Sequence, residues 1–315
     1  MLKNTIKFSI FFTAVFLIPL FGSADATDVV TQGKKVWFIT GTSSGFGLET
    51  TKALLERGDS VAATALEPDV HKGLQEKYGN KIIPLRLDVT KRDEVKQAVE
   101  DAVNYFGRLD VVVNNAGCGY WGAIEELTEE DLQKQFDVNV FGSFRVIQAV
   151  LPIMRQQKSG HIIQISSRAG LKSHGMVGAY CASKWAVEAI NDALSQEVTK
   201  FGIKVSIVEP GSFYTEFYRS IQYATNVSEI YAPIKKQGQS EIPTKSGKPY
   251  LLGIRSDDGS SYPRPENVVK AILKVADTEK PPLRILVGDD SMKMIPEEYE
   301  KRLKEMKEVD AWLKQ

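Results

Sequence analysis

The sequence predicts an α/β fold in which one doubly wound parallel sheet is covered by helices on both faces. Three observations predict it. Short apolar, β-branched runs alternate with amphipathic stretches between residues 35 and 209, which is typical of βαβ units. A glycine-rich turn joins the first run to the first amphipathic stretch. The 315 residues are 43% hydrophobic, which suffices for a full core.

The first half of the chain repeats one cycle of strand and helix. A strand at 35–40 stops at Gly41, and apolar residues at helical spacing follow over 46–57. The later cycles predict strands at 61–66, 82–87 and 109–114, and helices at 69–78 and 93–106. Because each strand returns through a helix, we expect neighbouring strands to be parallel.

The second half continues the sheet and then changes character. It predicts a helix at 128–154, opened by a Thr128–Asp131 capping box, then a strand at 160–166, a helix at 177–201 and a strand at 204–209. Residues 212–262 hold six tyrosines without clear periodicity, which predicts a substrate lid or a partly disordered segment. A helix at 266–276, a strand at 283–287 and a helix at 296–313 follow. We therefore expect a single domain over 34–315, with the lid at about 212–262.

The charged, cysteine and histidine residues exclude several classes of function. Forty basic and forty acidic residues balance, so we expect no nucleic-acid partner. The two cysteines have neither the number nor the spacing of a disulfide framework or a zinc site. The histidines, His71, His161 and His174, lack metal-ligand spacing, so we expect no metal and predict that they lie on the surface or in loops.

Residues 1–26 have the pattern of an export signal. Lys3 and Lys7 precede an uncharged apolar run at 8–21, and Ala24-Asp25-Ala26 fits a signal-peptidase site. The run is shorter than the ~20 residues of a spanning helix, which favours a cleaved signal peptide over a membrane anchor. We expect export to a periplasmic or secretory compartment, with membrane contact only if the segment stays uncleaved.

The glycine-rich turn predicts a dinucleotide site. Thr40-Gly41-Thr42-Ser43-Ser44-Gly45-Phe46-Gly47 lies between the first strand and the first helix. Glycines there let the backbone approach a diphosphate, and the helix N-terminus offers unpaired N–H groups to an anion.

Two Tyr-x-x-x-Lys pairs could supply an acid/base tyrosine. In a helix, residues four apart share one face, so a lysine ammonium can favour the phenolate of the tyrosine. Tyr180 with Lys184 and Tyr231 with Lys235 both have this spacing. Pro233 lies inside the second pair and disfavours the helix that would align it, which predicts that Tyr231 is a lid aromatic.

Several motifs together resemble the short-chain dehydrogenase/reductase family over residues 35 to about 290. The glycine turn matches the family's Thr-Gly-x-x-x-Gly-x-Gly pattern, and Asn114-Asn115-Ala116-Gly117 matches its sheet motif. Asp88, and Pro210-Gly211 with Thr215, match its adenine and nicotinamide contacts. The resemblance implies a Rossmann-type fold, a small-molecule substrate and a homodimer or homotetramer that uses the helices at 128–154 and 177–201.

The resemblance also implies a catalytic set. Ser167 stands 13 residues before Tyr180, which is the family's spacing, whereas position 218 before Tyr231 is another tyrosine. Tyr180 is then the acid/base, and Ser167 binds the substrate oxygen. Lys184 lowers the pKa of the tyrosine and holds the nicotinamide ribose, and Asn139 anchors a water relay. Alternation along the strand allows only one of Ser166 and Ser167 to face the site.

The implied cofactor is NAD or NADP. The residues expected to bind it lie on the turns that follow the strands and on the catalytic helix: Gly41, Ser43, Ser44, Gly45, Phe46, Gly47, Asp88, Val89, Asn115, Ala116, Gly117, Tyr180, Lys184, Pro210, Gly211 and Thr215. The family's acid and arginine positions after the second strand hold Ala65 and Leu66, so neither discriminating residue is present. Glu67 and the lack of a basic residue beside Ser44 favour NAD.

The sequence indicates the substrate less specifically than the cofactor. Aromatic and apolar residues near the motifs suggest a pocket for a bulky alcohol or ketone, of steroid, retinoid or lipid type, although they could equally pack the lid: Tyr120, Trp121, Phe144, Met176, Phe213, Tyr214, Phe217 and Tyr218. The expected activity is hydride transfer between an alcohol and its ketone or aldehyde. The alternatives are non-redox chemistry on the same fold and a catalytically silent cofactor-binding protein.

Overall fold

A seven-stranded parallel sheet forms the centre of the protein. The computed structural model describes residues 34–226, 228–237, 239–243, 249–251 and 263–314. The strands of the sheet are β1 Val36–Thr40, β2 Ser60–Ala65, β3 Ile82–Arg86, β4 Val111–Asn114, β6 Gly160–Ile165, β7 Ile203–Pro210 and β11 Arg284–Val287. Their spatial order is β11-β7-β6-β4-β1-β2-β3. The order reverses beside β1, so a crevice for ligands opens at the carboxyl ends of β1 and β4.

Helices cover both faces of this sheet, which confirms the predicted fold class. They are α1 Gly45–Arg57, α2 Lys72–Tyr78, α3 Arg92–Phe106, α4 Glu129–Phe136, α5 Ser143–Gln157, α6 Gly178–Val198, α8 Glu266–Asp277 and α9 Asp289–Leu313. Alternation along β1 sends Val36 and Phe38 into a core with α3, α5 and α6, and Trp37 and Ile39 into a core with α1 and α8. All four side chains are fully buried.

Several predicted bounds were wrong in detail. The helix expected at 128–154 is divided by a π-helical turn at Asp137–Gly142 into α4 and α5. The helix expected at 177–201 ends at Val198 and continues as a 3₁₀ turn, Thr199–Phe201. The last helix begins at Asp289 rather than at Pro296, because Asp289 and Asp290 open its first turn.

The described part of the lid contains short elements that were not predicted. A 3₁₀ turn covers Glu216–Ser220, and β8 Gln222–Tyr223 pairs in parallel with β5 Tyr120–Trp121. A 3₁₀ turn at Glu229–Tyr231 and α7 Ala232–Gln237 follow, and β9 Gln239–Pro243 pairs with β10 Pro249–Leu251. The export signal predicted at 1–26 lies outside the described residues.

One helical run in the described ranges, Glu129–Gln157, is long and apolar enough to cross a membrane by length and composition alone. Its apolar side chains Val146, Ile147, Val150 and Met154 lie in the core against the sheet. We therefore interpret it as a core helix.

Candidate active site

The glycine turn between β1 and α1 forms a cradle for a diphosphate. Gly41 and Gly45 have φ of +69° and +56°, which favours glycine at both positions. A Cβ on Gly47 would lie 2.4 Å from the Gly41 carbonyl oxygen, so this position needs glycine as well. Within the described part of the chain the Ser44 side chain does not cap α1, and the first turn of α1 holds no acidic residue. Its N–H groups therefore suit an anionic ligand.

Asn115 fastens the end of β4 to this turn. Its Nδ2 donates to the carbonyl oxygens of Thr40 and Gly41, each at 2.9 Å. The Thr40 hydroxyl oxygen accepts hydrogen bonds from the backbone N–H groups of Asn115 and Ala116 at 2.9 and 3.0 Å. These bonds fix the two turns that face the crevice.

His71 supports the same turn from below, contrary to the predicted surface or loop position. Its side chain is fully buried, and its Nε2 lies 2.7 Å from the Thr42 hydroxyl oxygen. The Thr42 N–H donates to the Thr64 carbonyl oxygen at 2.9 Å, which joins the turn to β2. Burial lowers the pKa of His71, so the imidazole is neutral at physiological pH.

The surface prediction was also wrong for His161, which is buried on β6 with its Nε2 at 2.9 Å from the Ser206 hydroxyl oxygen. Burial lowers its pKa to about 3. His174 lies in the loop before α6, as predicted, and lines the cavity.

The cofactor-binding residues predicted from the sequence, apart from Gly47, line one cavity of about 680 Å³. Gly47 is buried behind the turn. At the far end of β2, Ala65 and Leu66 line the cavity, and Leu66 is 59% exposed. Asp88 lines it after β3, and its Oδ1 accepts hydrogen bonds from the Thr90 N–H and hydroxyl at 2.9 and 2.7 Å. A dinucleotide fits these residues.

Ser167 and Tyr180 meet in the middle of this cavity. Ser167 follows β6, and its hydroxyl oxygen accepts a hydrogen bond from the Ala169 N–H at 3.1 Å. Tyr180 lies in the first turn of α6, with its ring centroid 5.5 Å from that of Phe217 in the lid. Burial raises the pKa of Tyr180 above its ordinary value, and a hydrogen bond with Ser167 opposes the rise. Ser166 also lines the cavity, but its side chain is buried and its hydroxyl oxygen lies beside Gly170 and Glu188.

Lys184 lies one helical turn after Tyr180 and is 6% exposed. Its Nζ donates to the Ile165 carbonyl oxygen at 3.0 Å and lies 5.6 Å from the centroid of the Tyr180 ring. Burial lowers the pKa of Lys184 to about 8. Burial raises the pKa of Tyr180 by more than the hydrogen bond with Ser167 lowers it. The predicted lowering of this pKa by Lys184 therefore stays a prediction.

Asn139 lies behind the cavity rather than in its wall. It is buried in the π-helical turn, and its Nδ2 donates to the Cys118 carbonyl oxygen and to the Ser183 hydroxyl oxygen, each at 3.0 Å. Its Oδ1 accepts from the Cys118 N–H at 2.9 Å. The side chain therefore joins the π-helical turn to α6 and to the segment after β4, and the predicted water relay is untested.

Aromatic and apolar side chains surround the remaining wall of the cavity. Six of the eight residues predicted for it line the cavity: Tyr120, Trp121, Met176, Phe213, Phe217 and Tyr218. Phe144 and Tyr214 do not, and they are 39% and 37% exposed. Cys118, Arg168, Val177 and Ile221 also line it and were not predicted, since no motif marks them.

The second tyrosine pair lies elsewhere. The Tyr231 hydroxyl hydrogen-bonds the Glu125 carboxylate near the surface, and Tyr231 precedes α7 rather than lying within it. Pro233 is the second residue of α7, a position in the first helical turn that tolerates proline. Tyr231 does not line the cavity with Tyr180.

Comparison with known proteins shows a family and several relatives that this chain is similar to. The family model for short chain dehydrogenases matches residues 35–226. Oxidoreductase BOA17 of Botryotinia fuckeliana is 40% identical over 82% of this chain and 90% of its own. The 3-ketodihydrosphingosine reductase of Bacteroides thetaiotaomicron is 39% identical over 81% and 88%. Human retinol dehydrogenase 8 is 34% identical over 78% and 79%.

Solved structures share the fold. A short-chain dehydrogenase from Streptomyces avermitilis has a TM-score of 0.78 at 34% identity and covers 89% of this chain and 98% of its own. ElxO, solved with NADP bound, has a TM-score of 0.64 at 26% identity and covers 80% and 96%.

Proposed function

The chain belongs to the short-chain dehydrogenase family and is an oxidoreductase that uses NAD or NADP, and from this premise we propose that it interconverts an apolar alcohol and its ketone or aldehyde. One observation carries the proposal. Tyr180, Ser167 and Lys184 converge in a cavity whose remaining wall holds Trp121, Met176 and Phe217. Polar groups at one point of an apolar cavity suit a substrate with one reacting oxygen on a bulky apolar body.

We propose roles for the side chains that their positions in the cavity and the family support. Ser167 donates a hydrogen bond to the substrate oxygen, and Tyr180 gives that oxygen its proton in reduction or removes it in oxidation. Lys184, with its ammonium near the phenol, stabilises the phenolate and would hold the ribose of the cofactor. When bound, the nicotinamide supplies the hydride in reduction and accepts it in oxidation.

The proposed substrate class is a lipid-like, retinoid-like or steroid-like alcohol or ketone. Two relatives carry names that state 3-ketodihydrosphingosine and retinol, both of which have a large hydrocarbon part. The test is the absorbance at 340 nm of purified protein with reduced cofactor and a series of ketones of increasing apolar size, with product analysis. We expect kcat/KM to rise with apolar size by at least tenfold between a C4 ketone and a retinoid aldehyde or a sphingoid ketone, roughly as buried apolar area predicts. Equal turnover of small and large ketones would contradict the substrate class but not the reaction.

We propose NAD over NADP as the preferred cofactor. The basic residues that line the cavity are Arg168, His174 and Lys184, and none of these lies on the glycine turn or after β2. Leu66→Arg places a guanidinium where a 2′-phosphate would lie, so we expect the NADP/NAD ratio of kcat/KM to rise at least tenfold. Val70→Arg, at a residue 53% exposed and outside the cavity lining, is the control. An unchanged ratio in Leu66→Arg would place the ribose elsewhere.

We also propose export through residues 1–26, on the charge, apolar run and cleavage pattern of that segment. N-terminal sequencing of protein from its native host should begin at Thr27. A start at Met1 would favour a membrane anchor.

A further inference from the structure

The carboxylate of Asp290 joins two segments that border the active-site cavity. Asp290 is the second residue of α9 and does not itself line the cavity. Its Oδ2 accepts a hydrogen bond from the Ser212 N–H at 3.1 Å and forms an ion pair with the Arg168 guanidinium. Arg168 directly follows Ser167 in the chain. Ser212 ends the segment 210–212, for which membership of the family implies contacts with the nicotinamide.

The segment 210–212 lies between Asp290 and Ser167. The Gly211 N–H donates to the carbonyl oxygen of the last residue of β11 at 2.8 Å. A Cβ on Gly211 would overlap the Asp290 carboxylate, so the backbone passes directly against that side chain. On the other side, the Pro210 carbonyl oxygen lies 3.5 Å from the Ser167 hydroxyl oxygen. A shift of this segment would therefore displace both the expected nicotinamide contact and the surroundings of the serine.

The first turns of α9 are fixed to the body of the protein, which makes Asp290 a firm anchor. Ser291 is fully buried, and Ile295 is 5% exposed. Glu298 forms an ion pair with Lys172, in the loop before α6, at 2.9 Å. These contacts hold the base of α9 in place independently of the cavity.

The two oxygens of Asp290 have different partners. Oδ1 accepts a hydrogen bond from the Ser291 N–H at 2.8 Å, within the first turn of α9. An acidic residue in a first turn also stabilises the helix through its dipole, and the exposed Asp289 can do the same. Oδ2 instead faces Ser212 and Arg168, outside the helix. A role at the helix end alone does not account for this second set of contacts.

We propose that Asp290 is a positioning residue for the nicotinamide end of the cofactor. It holds the segment 210–212 and Arg168 in the arrangement that receives the nicotinamide, without contacting the cofactor itself. A carboxylate suits this task because hydrogen bonds to a charged acceptor are stronger than those to a neutral one. The inference deepens the proposed function and rests on its placement of the nicotinamide beside Ser167.

Calorimetric titration of the full chain with the whole cofactor and with a fragment tests this role. NADH and ADP-ribose share the adenosine, the diphosphate and the second ribose, and only NADH carries the nicotinamide. In Asp290→Ala we expect the affinity for NADH to fall about tenfold and the affinity for ADP-ribose to change less than about twofold. If the parent binds NADPH more tightly, NADPH and 2′-phospho-ADP-ribose replace this pair. A general loss of stability would not distinguish the two ligands.

Asp289→Ala is the matched control, because it removes an exposed carboxylate from the same helical turn. Both affinities should equal those of the parent. Asp290→Asn keeps the shape of the side chain and an oxygen for the Ser212 N–H, but it loses the charge that attracts Arg168. We expect a smaller loss of NADH affinity in this variant, which decides the question if Asp290→Ala does not fold. Equal changes for the two ligands in the Asp290 variants, or no change for either, would overturn the proposal.

Arg168 itself lines the cavity, so a direct action of this residue on the cofactor must be separated from an action through Asp290. The comparison is between Arg168→Leu, Asp290→Ala and the double variant. If the two side chains act as one unit, the double variant should bind NADH no more weakly than Asp290→Ala. A loss equal to the product of the two single losses would overturn the coupling.

The titrations need no ketone, so they are independent of the proposed substrate class. A parent that binds NADH but reduces no apolar ketone would contradict that class, while the titrations would still decide the role of Asp290.

Discussion

At the scale of single residues, the buried pair of His71 and Thr42 determines the shape of the cofactor turn. The imidazole Nε2 and the Thr42 hydroxyl oxygen lie 2.7 Å apart, and both side chains are fully buried. The Thr42 hydroxyl also donates to the Thr64 carbonyl oxygen at 3.0 Å, so loss of the imidazole removes one of its two hydrogen bonds, which contributes about 0.5–1.5 kcal/mol. We expect the loss of this hydrogen bond to make the glycine turn, which contacts the cofactor, more mobile.

We therefore expect His71→Leu to weaken cofactor binding by about fivefold, with kcat at saturating cofactor little changed. The measurement is a fluorescence titration of the reduced cofactor. His161→Leu is the matched control, since it removes another buried histidine with one hydroxyl partner, Ser206, on the inner part of the sheet. It should lower the melting temperature and leave the dissociation constant unchanged. An unchanged constant in His71→Leu would remove this role.

Residue spacing along the chain predicted the position of much of the site, but it did not predict the buried side chains that hold the site in place. Tyr180 and Lys184 were paired because residues four apart share one face of a helix, and Ser167 was located by the 13-residue spacing of the family that the sequence resembles. His71 was assigned to the surface because its burial depends on Thr42, which is 29 residues away in the chain. Arg168 and Cys118 were missed for the same reason, since their positions in the cavity wall come from tertiary packing.

At the scale of elements, two carboxylates join the lid to the body. Asp131, in the first turn of α4, accepts hydrogen bonds from the Thr225 N–H and hydroxyl at 3.2 and 2.9 Å. Glu126 accepts a hydrogen bond from the Ser228 N–H at 2.6 Å. Burial raises the pKa of Asp131, but hydrogen bonds from Thr128 and Thr225 together hold it below its ordinary value. The aspartate therefore stays ionised and holds the lid at neutral pH.

Thr225→Val removes the hydroxyl that donates to Asp131, and a hydrogen bond to a charged group contributes about 1.5–3 kcal/mol. We expect KM for an apolar ketone to rise about threefold to tenfold, because the lid covers that end of the cavity. KM for the cofactor should not change. Thr278→Val, which removes a hydroxyl bonded to the Lys274 carbonyl oxygen at the end of α8, is the control for steady-state kinetics. Equal KM changes for ketone and cofactor would contradict a specific role of the lid.

Sequence periodicity predicted neither the short elements of the lid nor the division of the helix at 128–154. The apolar period is continuous through Asp137–Gly142, but a Cβ on Gly142 would lie 2.7 Å from Val89 Cγ2, so the chain packs tightly against the turn after β3 there. Such a contact between distant segments leaves no periodic signal. The lid elements are two to six residues long, too short for a period to be read.

At the scale of the whole molecule, two buried glutamates and the partly exposed Arg284 connect α6 and β7 to the last strand, β11. Glu188 on α6 and Glu209 on β7 are 4% and 2% exposed, and Arg284 Nε lies 3.3 and 3.6 Å from their carboxylates. Burial and the neighbouring Glu188 raise the pKa of Glu209 to about 8. A folded-state pKa above the unfolded value contributes stability below pH 4.5 that is lost as pH rises toward 8.

Glu209→Gln removes this titration, so the variant should gain stability relative to the parent as pH rises. We expect the difference in melting temperature between variant and parent to increase by about 5 °C from pH 5 to pH 8.5, followed by circular dichroism. Asp192→Asn, at an exposed partner of Arg284, controls for loss of charge near the arginine. A difference independent of pH would show that the pKa of Glu209 is not raised on folding and would contradict this prediction.

The central claim is that Tyr180, and not another tyrosine of the chain, exchanges the proton with the substrate oxygen. The most direct measurement is kcat/KM for an apolar ketone, followed at 340 nm, in Tyr180→Phe and Tyr231→Phe. The two variants make the same change in the two Tyr-x-x-x-Lys pairs. We expect a loss of about 10²–10⁴-fold in Tyr180→Phe with cofactor binding retained, and less than a threefold change in Tyr231→Phe. Full activity in Tyr180→Phe, or an equal loss in both variants, would contradict the account.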